Sequence, residues 1–249
     1  MRFLLSLLLL LTFLYAQEEK QKITIGGGAY FQTQPYIGTK TLVVPTPVIF
    51  FDNSLFYIRW SRAGVYFLGN KSDDFAWGLS LTAQPRPFGF QPSDSDALKN
   101  LDERETTFEG GLAFSAAMDG TYIEIMLLTD LMGRYESWLL KTEIGDKYTL
   151  GDFTLYPSIV VSYQSDDFMN YYYGISQDEA IKSKYNYYNP KAGFQVGVQT
   201  YISYPLTKEL STLINIRADR VPKSAQDSPI IEQNVIYSGL LSLIYRFEY

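Results

Sequence analysis

The 249-residue sequence predicts an all-β fold, a transmembrane antiparallel β-barrel of about twelve strands closed as an up-and-down meander. The main observation is a series of segments, each ~10 residues long, in which apolar and polar side chains alternate between turns without an intervening helix. An export signal at the N terminus and an aromatic residue at the end of the last strand favour the same fold. Mean hydropathy is only −0.09 although 16% of the residues are aromatic, because a barrel strand turns one face to lipid and the other to a polar lumen.

The N terminus has the layout of a secretory signal peptide. Met1 and Arg2 give a positive start, residues 3–14 are almost entirely apolar, and Ala16 precedes a polar segment. A small residue at the end of such a run marks the cleavage site, here after Ala16. The run is shorter than the ~20 residues that a spanning helix needs. We therefore predict that residues 1–16 are a signal peptide and that residues 17–249 form a single outer-membrane β-barrel domain.

The ionisable composition excludes several kinds of function. The chain has 21 basic and 27 acidic residues, and this acidic balance argues against nucleic acid as a partner because phosphates need a basic surface. Cysteine and histidine are both absent, so the chain cannot supply a disulfide, a cysteine or histidine metal site, or a Ser-His-Asp triad. We predict no catalytic residues, no metal and no cofactor. A hydrolase that relies on carboxylates alone is a disfavoured alternative.

The strands are predicted in chain order from their alternating faces. The first contains Gly26, Gly27 and Gly28, which let a barrel wall bend; the second contains Pro45 and Pro47, which lack an N–H donor and belong near an edge or a strand end. From residue 75 onward the alternation is cleaner, and Asp119-Gly120 forms a tight hairpin turn. The predicted strands are residues 22–32, 42–51, 55–60, 64–68, 75–82, 108–116, 123–130, 138–144, 153–163, 194–203, 213–219 and 234–249.

The strand count rests on how residues 54–68 are divided. Bacterial single-chain barrels have an even number of strands, with both ends in the periplasm and the long loops outside. Treating residues 54–68 as one strand gives an odd total, whereas a break at residues 61–63 gives twelve; ten strands is the alternative. The same rule places loops 85–105, 166–191 and 222–233 outside and turns 118–121, 145–152 and 206–209 inside. A helical turn is expected near residues 96–101 of the first loop.

The last strand carries a candidate barrel-insertion signal. Its apolar face ends on Tyr245, Phe247 and Tyr249, with no polar tail behind them. This resembles the terminal strand of bacterial outer-membrane barrels, which the barrel assembly machinery recognises. A final strand of a soluble sandwich is the alternative. In the barrel interpretation, the partners of the outer wall are outer-membrane lipid and lipopolysaccharide, and the location is the bacterial outer membrane.

The less apolar faces of the strands carry charges of both signs in similar number. Buried charges are costly unless they are paired, so these residues predict a lumen crossed by ion pairs and hydrogen bonds rather than an open pore. A solvated sheet face is the alternative for any single residue. The candidate lumen charges are Arg59, Lys141, Arg217, Arg246, Glu109, Glu124, Asp130, Glu143 and Asp219.

Four segments resemble the MipA/OmpV family of outer-membrane proteins: YYYGISQDEA (171–180), KYNYYNPKAGF (184–194), DSPII (227–231) and GFQPSDSDALKNLDER (89–104). The early PTP stretch and the closing YRFEY fit the same pattern. The resemblance implies a non-enzymatic barrel that acts as a scaffold for a lytic transglycosylase and a penicillin-binding protein in a murein-synthesising assembly. Other members are linked to adhesion and antimicrobial susceptibility. A small-solute channel or an adhesin is the alternative.

Within the loop of residues 166–191, one group of residues is a candidate interaction surface, because aromatic residues are enriched at protein interfaces. Two alternatives remain: the tyrosines form an outer aromatic girdle, or they pack the loop over the barrel mouth. This loop faces outward in the predicted topology, whereas murein enzymes act in the periplasm, so a scaffold would use the inner turns or the lumen instead. The candidate residues are Tyr171, Tyr172, Tyr173, Gly174, Asp178 and Glu179.

Overall fold

The structure is a computed structural model that describes residues 22–72, 74–87 and 89–248. The predicted signal peptide (1–16) and Tyr249 lie outside these residues. The described strands are β1 (Lys22–Gln32), β2 (Leu42–Asp52), β3 (Phe56–Arg59), β4 (Arg62–Lys71), β5 (Phe75–Arg86), β6 (Thr107–Met118), β7 (Thr121–Asp130), β8 (Trp138–Gly145), β9 (Tyr148–Leu150), β10 (Phe153–Gln164), β11 (Gly193–Pro205), β12 (Leu210–Arg220) and β13 (Val235–Glu248). The helices are α1 (Asp166–Tyr173), α2 (Gln177–Lys182) and α3 (Lys223–Gln226), with a 3₁₀ turn at Pro92–Asp94.

The strands close into an antiparallel barrel. Each strand pairs with its neighbour in sequence, and β13 returns to pair with β1 from Lys22↔Glu248 to Gln32↔Ser238. The short β9 pairs only with the start of β10, whereas β8 pairs with its remainder, so β8 and β9 lie end to end as one interrupted wall strand. The wall therefore has twelve positions, which confirms the predicted count and excludes the alternative of ten.

The two faces of the wall differ as the alternation predicts. Along β13 the outward residues Tyr237, Leu241 and Leu243 are exposed, whereas the inward residues Leu240 and Ser242 are buried. The same pattern recurs around the barrel, where outward Leu, Val, Ile and Phe side chains form a continuous apolar belt. A belt of this extent on the outside of a closed sheet is the lipid-facing surface of a transmembrane barrel. Within the described residues, no helix is long and apolar enough to cross a membrane.

The two ends of the barrel are built differently. One end, here called the turn end, carries both described chain ends, Lys22 and Glu248, and short connections such as Asp119-Gly120 and residues 206–209. The other, the loop end, carries the long connections. All three predicted outer loops emerge at the loop end, and the predicted inner turns lie at the turn end.

Long connections at the loop end fold together into a cap, defined here as residues 33–41, 89–106, 165–192 and 221–234. Its centre is α1, whose Phe168, Met169 and Tyr172 are fully buried. These residues belong to one apolar cluster with inward strand residues such as Leu128 and Leu139. The cap thus explains why these inward strand positions are apolar, although the lumen is otherwise polar.

Three local expectations differ from the structure. Strand β5 continues to Arg86, past the point at which a loop was predicted, because Pro85 turns its missing N–H to a side of the wall where no strand pairs with it. The helical turn expected near residues 96–101 consists of single hydrogen-bonded turns, and the 3₁₀ helix lies earlier, at Pro92–Asp94. The helices of the last two loops were not predicted.

Candidate functional site

A cavity of about 1320 Å³ occupies the lumen beneath the cap. Its lining extends from Lys22 and Arg246 at the turn end to Gln164 and Gln195 below the cap. The inward residues of almost every strand contribute, because alternate side chains of a barrel strand face the lumen. The small inward residue Gly78 gives room to the ring of Tyr66, since a Cβ at this position would lie 2.7 Å from that ring.

The middle of the cavity is crossed by a buried ion-pair cluster around Glu124 of β7. Arg59 donates from Nη1 to Glu124 Oε1 at 3.0 Å, and Arg62 donates from Nη2 to the same oxygen at 2.7 Å and from Nη1 to Oε2. The guanidinium carbon of Arg59 lies 4.3 Å from the centroid of the Tyr57 ring, a cation–π contact. These contacts fasten the β3–β4 hairpin to a strand across the lumen.

A second carboxylate, Glu143 of β8, is held by neutral donors instead. It accepts hydrogen bonds from Tyr122 Oη at 3.0 Å, Ser158 Oγ at 2.9 Å and Gln199 Nε2 at 2.8 Å. Three donors satisfy a buried carboxylate without a direct ion pair. Glu143 also has cations as electrostatic neighbours, although none of them makes a direct ion pair with it.

Lys141 is such a cation. It lines the cavity on β8 and makes no hydrogen bond or close ion pair to any described residue. Arg217, one of its electrostatic neighbours, is paired with Asp219 on β12 at 2.5 Å. Eight Lys and Arg side chains line the cavity against five carboxylates, although the whole chain carries a net charge of −6. The lumen is therefore cationic inside an acidic protein, and this favours anionic solutes.

The floor of the cap is tied to the wall through Glu109 of β6, which is 0% exposed. It pairs with Arg86 and accepts hydrogen bonds from Gln84 Nε2 at 2.8 Å and Tyr135 Oη at 3.1 Å. The guanidinium carbon of Arg86 lies 4.8 Å from the ring centroid of Phe168 in α1. One buried network thus joins β5, β6 and the loop between β7 and β8 to the central helix of the cap.

The cap itself is closed by a second buried ion pair between two of its loops. Arg104 Nη2 donates to Glu179 Oε1 at 2.7 Å, and the two side chains are only 7% and 2% exposed. Glu179 also accepts from the backbone N–H groups of Ser176 at 2.8 Å and Asp102 at 2.9 Å. Arg104 donates onward to the carbonyl oxygen of Gly174. Glu179 therefore joins residues 102–104 to the start of α2.

The pKa of Glu179 reflects these contacts. Burial acts to raise the pKa, but the positive charge of Arg104 and the hydrogen bonds from Ser176, Asp102 and Arg104 outweigh it and hold the pKa below the ordinary glutamate value. Glu179 is therefore ionised in the closed cap at neutral pH. Burial also acts to raise the pKa of Tyr36, and there it prevails, so that this pKa lies well above that of an ordinary tyrosine.

The structure places the candidate lumen charges on inward strand positions. Eight of them line the cavity: Arg59, Glu109, Glu124, Lys141, Glu143, Arg217, Asp219 and Arg246. Asp130 lies at the loop end of β7 and accepts hydrogen bonds from the N–H groups of Met132 and Tyr135. Ion pairs do cross the lumen, but a sizeable cavity remains beside them.

The candidate interaction loop lies inside the cap rather than over it. Tyr172, Tyr173 and Glu179 are buried, as is the backbone of Gly174, and Tyr171 is half-buried with its hydroxyl accepting from the N–H of Glu105 at 2.8 Å. Asp178 is the exposed member of the group. The packing corresponds to the alternative in which these tyrosines fill the barrel mouth. A docking role for the group stays a prediction.

The candidate insertion signal lies on the outer wall. Tyr245 and Phe247 are exposed on the outward face of β13, and their ring centroids are 4.7 Å apart. Tyr249 lies outside the described residues. Recognition of this strand by the assembly machinery stays a prediction.

Three arginines of these networks were missed by the sequence reasoning: Arg62, Arg86 and Arg104. Arg62 lay in the assumed break between strands and Arg86 in an assumed loop. Both occupy the inward parity of their strands, so extending the alternation of β4 back through Ala63 and that of β5 on through Pro85 would have found them. No sequence signal marks the partner of Arg104, because Glu179 is 75 residues away. Among the described residues, no group of three or more candidate ligands could hold a metal ion.

Known proteins resemble the chain over nearly its whole length. The family described as MltA-interacting protein MipA matches residues 25–247. The putative outer membrane protein YiaT of Escherichia coli K12 is 26% identical over 93% of this chain and 94% of its own length. The MltA-interacting protein of the same organism is 29% identical over 91% of this chain and 90% of its own length. Outer membrane protein OmpV of Vibrio cholerae is 23% identical over 67% of this chain and 63% of its own length.

Solved structures with a similar arrangement include two outer-membrane barrels. The translocator domain of the autotransporter NalP from Neisseria meningitidis has a TM-score of 0.42 at 9% identity and covers 97% of this chain and 94% of its own. The NanC porin has a TM-score of 0.39 at 10% identity and covers 90% of this chain and 98% of its own.

Proposed function

The chain belongs to the MltA-interacting protein MipA family of outer-membrane barrels, and from this premise we propose that it is a non-enzymatic scaffold for murein enzymes. The family resemblance and the outer-membrane location predicted from the sequence are confirmed. The name of one relative states an interaction with MltA. By extension, the proposed partners are a lytic transglycosylase and a penicillin-binding protein, docked on the periplasmic side.

The observation that carries the proposal is the asymmetry of the barrel ends. Both chain ends and the short turns of an outer-membrane barrel lie in the periplasm, so the turn end is the periplasmic surface. The cap seals the opposite end with a buried apolar cluster and the Arg104–Glu179 pair. A periplasmic enzyme therefore meets a rigid rim of short turns at the turn end.

This rim offers charged and polar groups beside exposed apolar side chains such as Leu55 and Leu206. Lys22 and Glu248 form an exposed pair at 3.5 Å where the barrel closes, and other turns of the same end carry charged residues such as Asp146, Lys208 and Glu209. Exposed charges at a rim steer association and set its orientation more than they add affinity. Such a surface suits a transient assembly, in which murein enzymes bind to the barrel and dissociate from it.

Site-specific photocrosslinking in intact cells tests the proposal. A photoreactive residue at Asp146 or Lys208 is expected to capture a murein enzyme, whereas the same residue at the cap position Asp178 is not. Capture of these enzymes from Asp178 alone, or from none of the three positions in a folded barrel, would contradict a periplasmic scaffold.

The cationic cavity favours a second candidate function, a channel for small anionic solutes. The cap closes the loop end of this cavity, so conduction would require the cap to move. Planar bilayers distinguish the two candidates. A scaffold with a sealed cap gives no stable conductance, whereas anion-selective steps from the unaltered protein would support the channel.

A further inference from the structure

The barrel wall has a notch on its loop-end side. The β3–β4 hairpin turns back at Trp60-Ser61, so β3 pairs with only the last residues of β2, Phe50–Asp52. One further bond, from the Trp60 N–H to the carbonyl oxygen of Ile49 at 2.8 Å, ends the contact. Above it, residues 42–48 of β2 pair with β1 on one side, and no described strand pairs with them on the other.

The facing edge of the notch is the loop end of β5. Strand β4 pairs with β5 up to Ala83, which leaves residues 84–86 paired with β6 alone. At ~3.3 Å per residue, the open edges are roughly 23 Å long on β2 and 10 Å on β5. The opening therefore lies in the half of the wall nearest the cap.

Prolines line both edges of this notch. The carbonyl of Ile49 points to the hairpin side, and residues two and four positions away point their backbone groups the same way, so Pro45 and Pro47 face the notch. Pro85 lies opposite Phe108 of β6, and the carbonyl oxygen of Phe108 accepts from the N–H of Leu131, on the side of β6 away from β5. Pro85 and Phe108 are therefore not hydrogen-bonded to each other. The backbone of Pro85 thus points away from β6, toward the notch. All three lack the N–H that an added strand would need, so a polypeptide strand is a poor occupant.

An apolar path leads from the notch into the lumen. Val44 faces the lumen on β2 and is 38% exposed, and Trp60 at the tip of the hairpin lines the same cavity. Trp60 donates from Nε1 to Thr46 Oγ1 at 3.3 Å, and its ring lies 5.5 Å from that of Tyr30. The outer side of the same strand, with Val43 67% exposed, faces the lipid. A hydrocarbon chain passing through the notch would contact apolar groups on both sides.

Cationic side chains line the cavity deeper in the lumen. Tyr30 is an electrostatic neighbour of Arg217, and Arg217 and Arg62 are neighbours of Lys141. Both arginines are paired with carboxylates at close distance, whereas Lys141 lines the cavity with Glu143 and Glu124 only as electrostatic neighbours. A lumen cation that makes no direct ion pair can accept a carboxylate as a hydrogen-bonded partner, because pairing offsets its desolvation.

We propose that the notch between β2 and β5 is a lateral portal between the outer part of the bilayer and the lumen, and that its occupant is a single-chain anionic amphiphile of the fatty-acid type. The hydrocarbon chain lies in the notch against Val44 and Trp60, and the carboxylate lies at Lys141. The proposal concerns the wall and the lumen, not the periplasmic rim, so it stands or falls independently of the scaffold function.

Tryptophan quenching by a brominated fatty acid tests the portal in the full-length protein in lipid nanodiscs. The chain has three tryptophans, so a variant that retains only Trp60 reports on the notch. A variant that retains only Trp138, which is exposed on the outer wall, reports on partition into the bilayer. We expect saturable quenching of Trp60 at fatty-acid concentrations that leave Trp138 little changed, and weaker quenching by the brominated fatty alcohol, which lacks the charge. Parallel quenching of the two tryptophans would overturn the portal.

Two substitutions in the Trp60-only protein locate the ends of the ligand. Lys141→Gln is expected to lower the affinity for the fatty acid by roughly tenfold, which corresponds to the loss of one charged hydrogen bond, and to leave the affinity for the alcohol unchanged. Lys208→Gln, outside the cavity, is the control. Val44→Phe is expected to abolish saturable quenching by both compounds, with Val198→Phe on the outer wall as its control. Val44→Cys alkylated after folding gives the same block if the phenylalanine variant does not assemble. If the lumen variants bind like their controls, the assignment is wrong.

Discussion

The buried pair between Arg104 and Glu179 provides a quantitative test of the cap. Glu179→Ala removes one partner of an ion pair whose atoms are 2.7 Å apart, and it leaves Arg104 and the N–H groups of Ser176 and Asp102 without their acceptor. Removing one member of a buried pair costs about 3–5 kcal/mol. Because each 1.4 kcal/mol is a factor of ten, local opening of the cap should become roughly two to four orders of magnitude more frequent.

Hydrogen exchange of the detergent-solubilised barrel measures this opening directly. The expected acceleration is confined to residues 98–104 and 174–188, with the strands unchanged. Asp227→Ala is the matched control, because its pair with Lys223 also lies in the cap but is exposed and worth at most about 1 kcal/mol. Equal exchange in the two variants, or acceleration throughout the barrel, would refute the assignment of Glu179 as the residue that closes the cap.

Three further predictions concern pH, conductance and assembly. The pKa of Glu179 is lower in the folded cap than in the unfolded chain, so its contribution to the stability of the cap is present above about pH 4.5 and is lost as the pH falls through the folded pKa. The hydrogen-exchange protection factors of the cap should therefore fall in acid. Glu179→Ala should remove this part of the pH dependence. Replacing residues 166–191 by a short Gly-Ser linker should open the loop end and give conductance steps in planar bilayers, whereas an unchanged silent barrel would mean that other loops form the seal. Phe247→Ser should lower the yield of heat-modifiable barrel in cells more than Tyr237→Ser, at the other end of the same face; equal yields would count against a terminal insertion signal.

The sequence predicts the wall well because the wall is a local pattern. Side chains alternate along a strand with a period of two, independently of tertiary contacts. The two faces of β13 can therefore be assigned from the sequence alone. The division at residues 61–63 followed from parity, and the structure contains the turn at Trp60-Ser61. Pro85 shows the limit of the local rule, since a proline ends a strand only where its N–H would have been needed.

The cap could not be predicted in the same way because its stability comes from contacts distant in sequence. The tyrosines of α1 are buried by Leu128 and Leu139, which appear in the sequence only as apolar residues on a polar face. Arg104 and Glu179 are unremarkable charges until the fold brings them together. The notch likewise depends on the register in which β2 and β3 pair, because the sequence does not indicate how far β2 extends beyond the β3–β4 hairpin.

Site-directed spin labelling along β11 tests the central claim, a barrel with a lipid-facing outer surface and a wet lumen. The chain has no cysteine, so single cysteines at Gln195, Val196, Val198 and Gln199 can each carry one label in reconstituted bilayers. Val196 and Val198 should be accessible to oxygen dissolved in the lipid, and Gln195 and Gln199 to a water-soluble nickel reagent. Equal access of the nickel reagent to all four positions would contradict the transmembrane barrel.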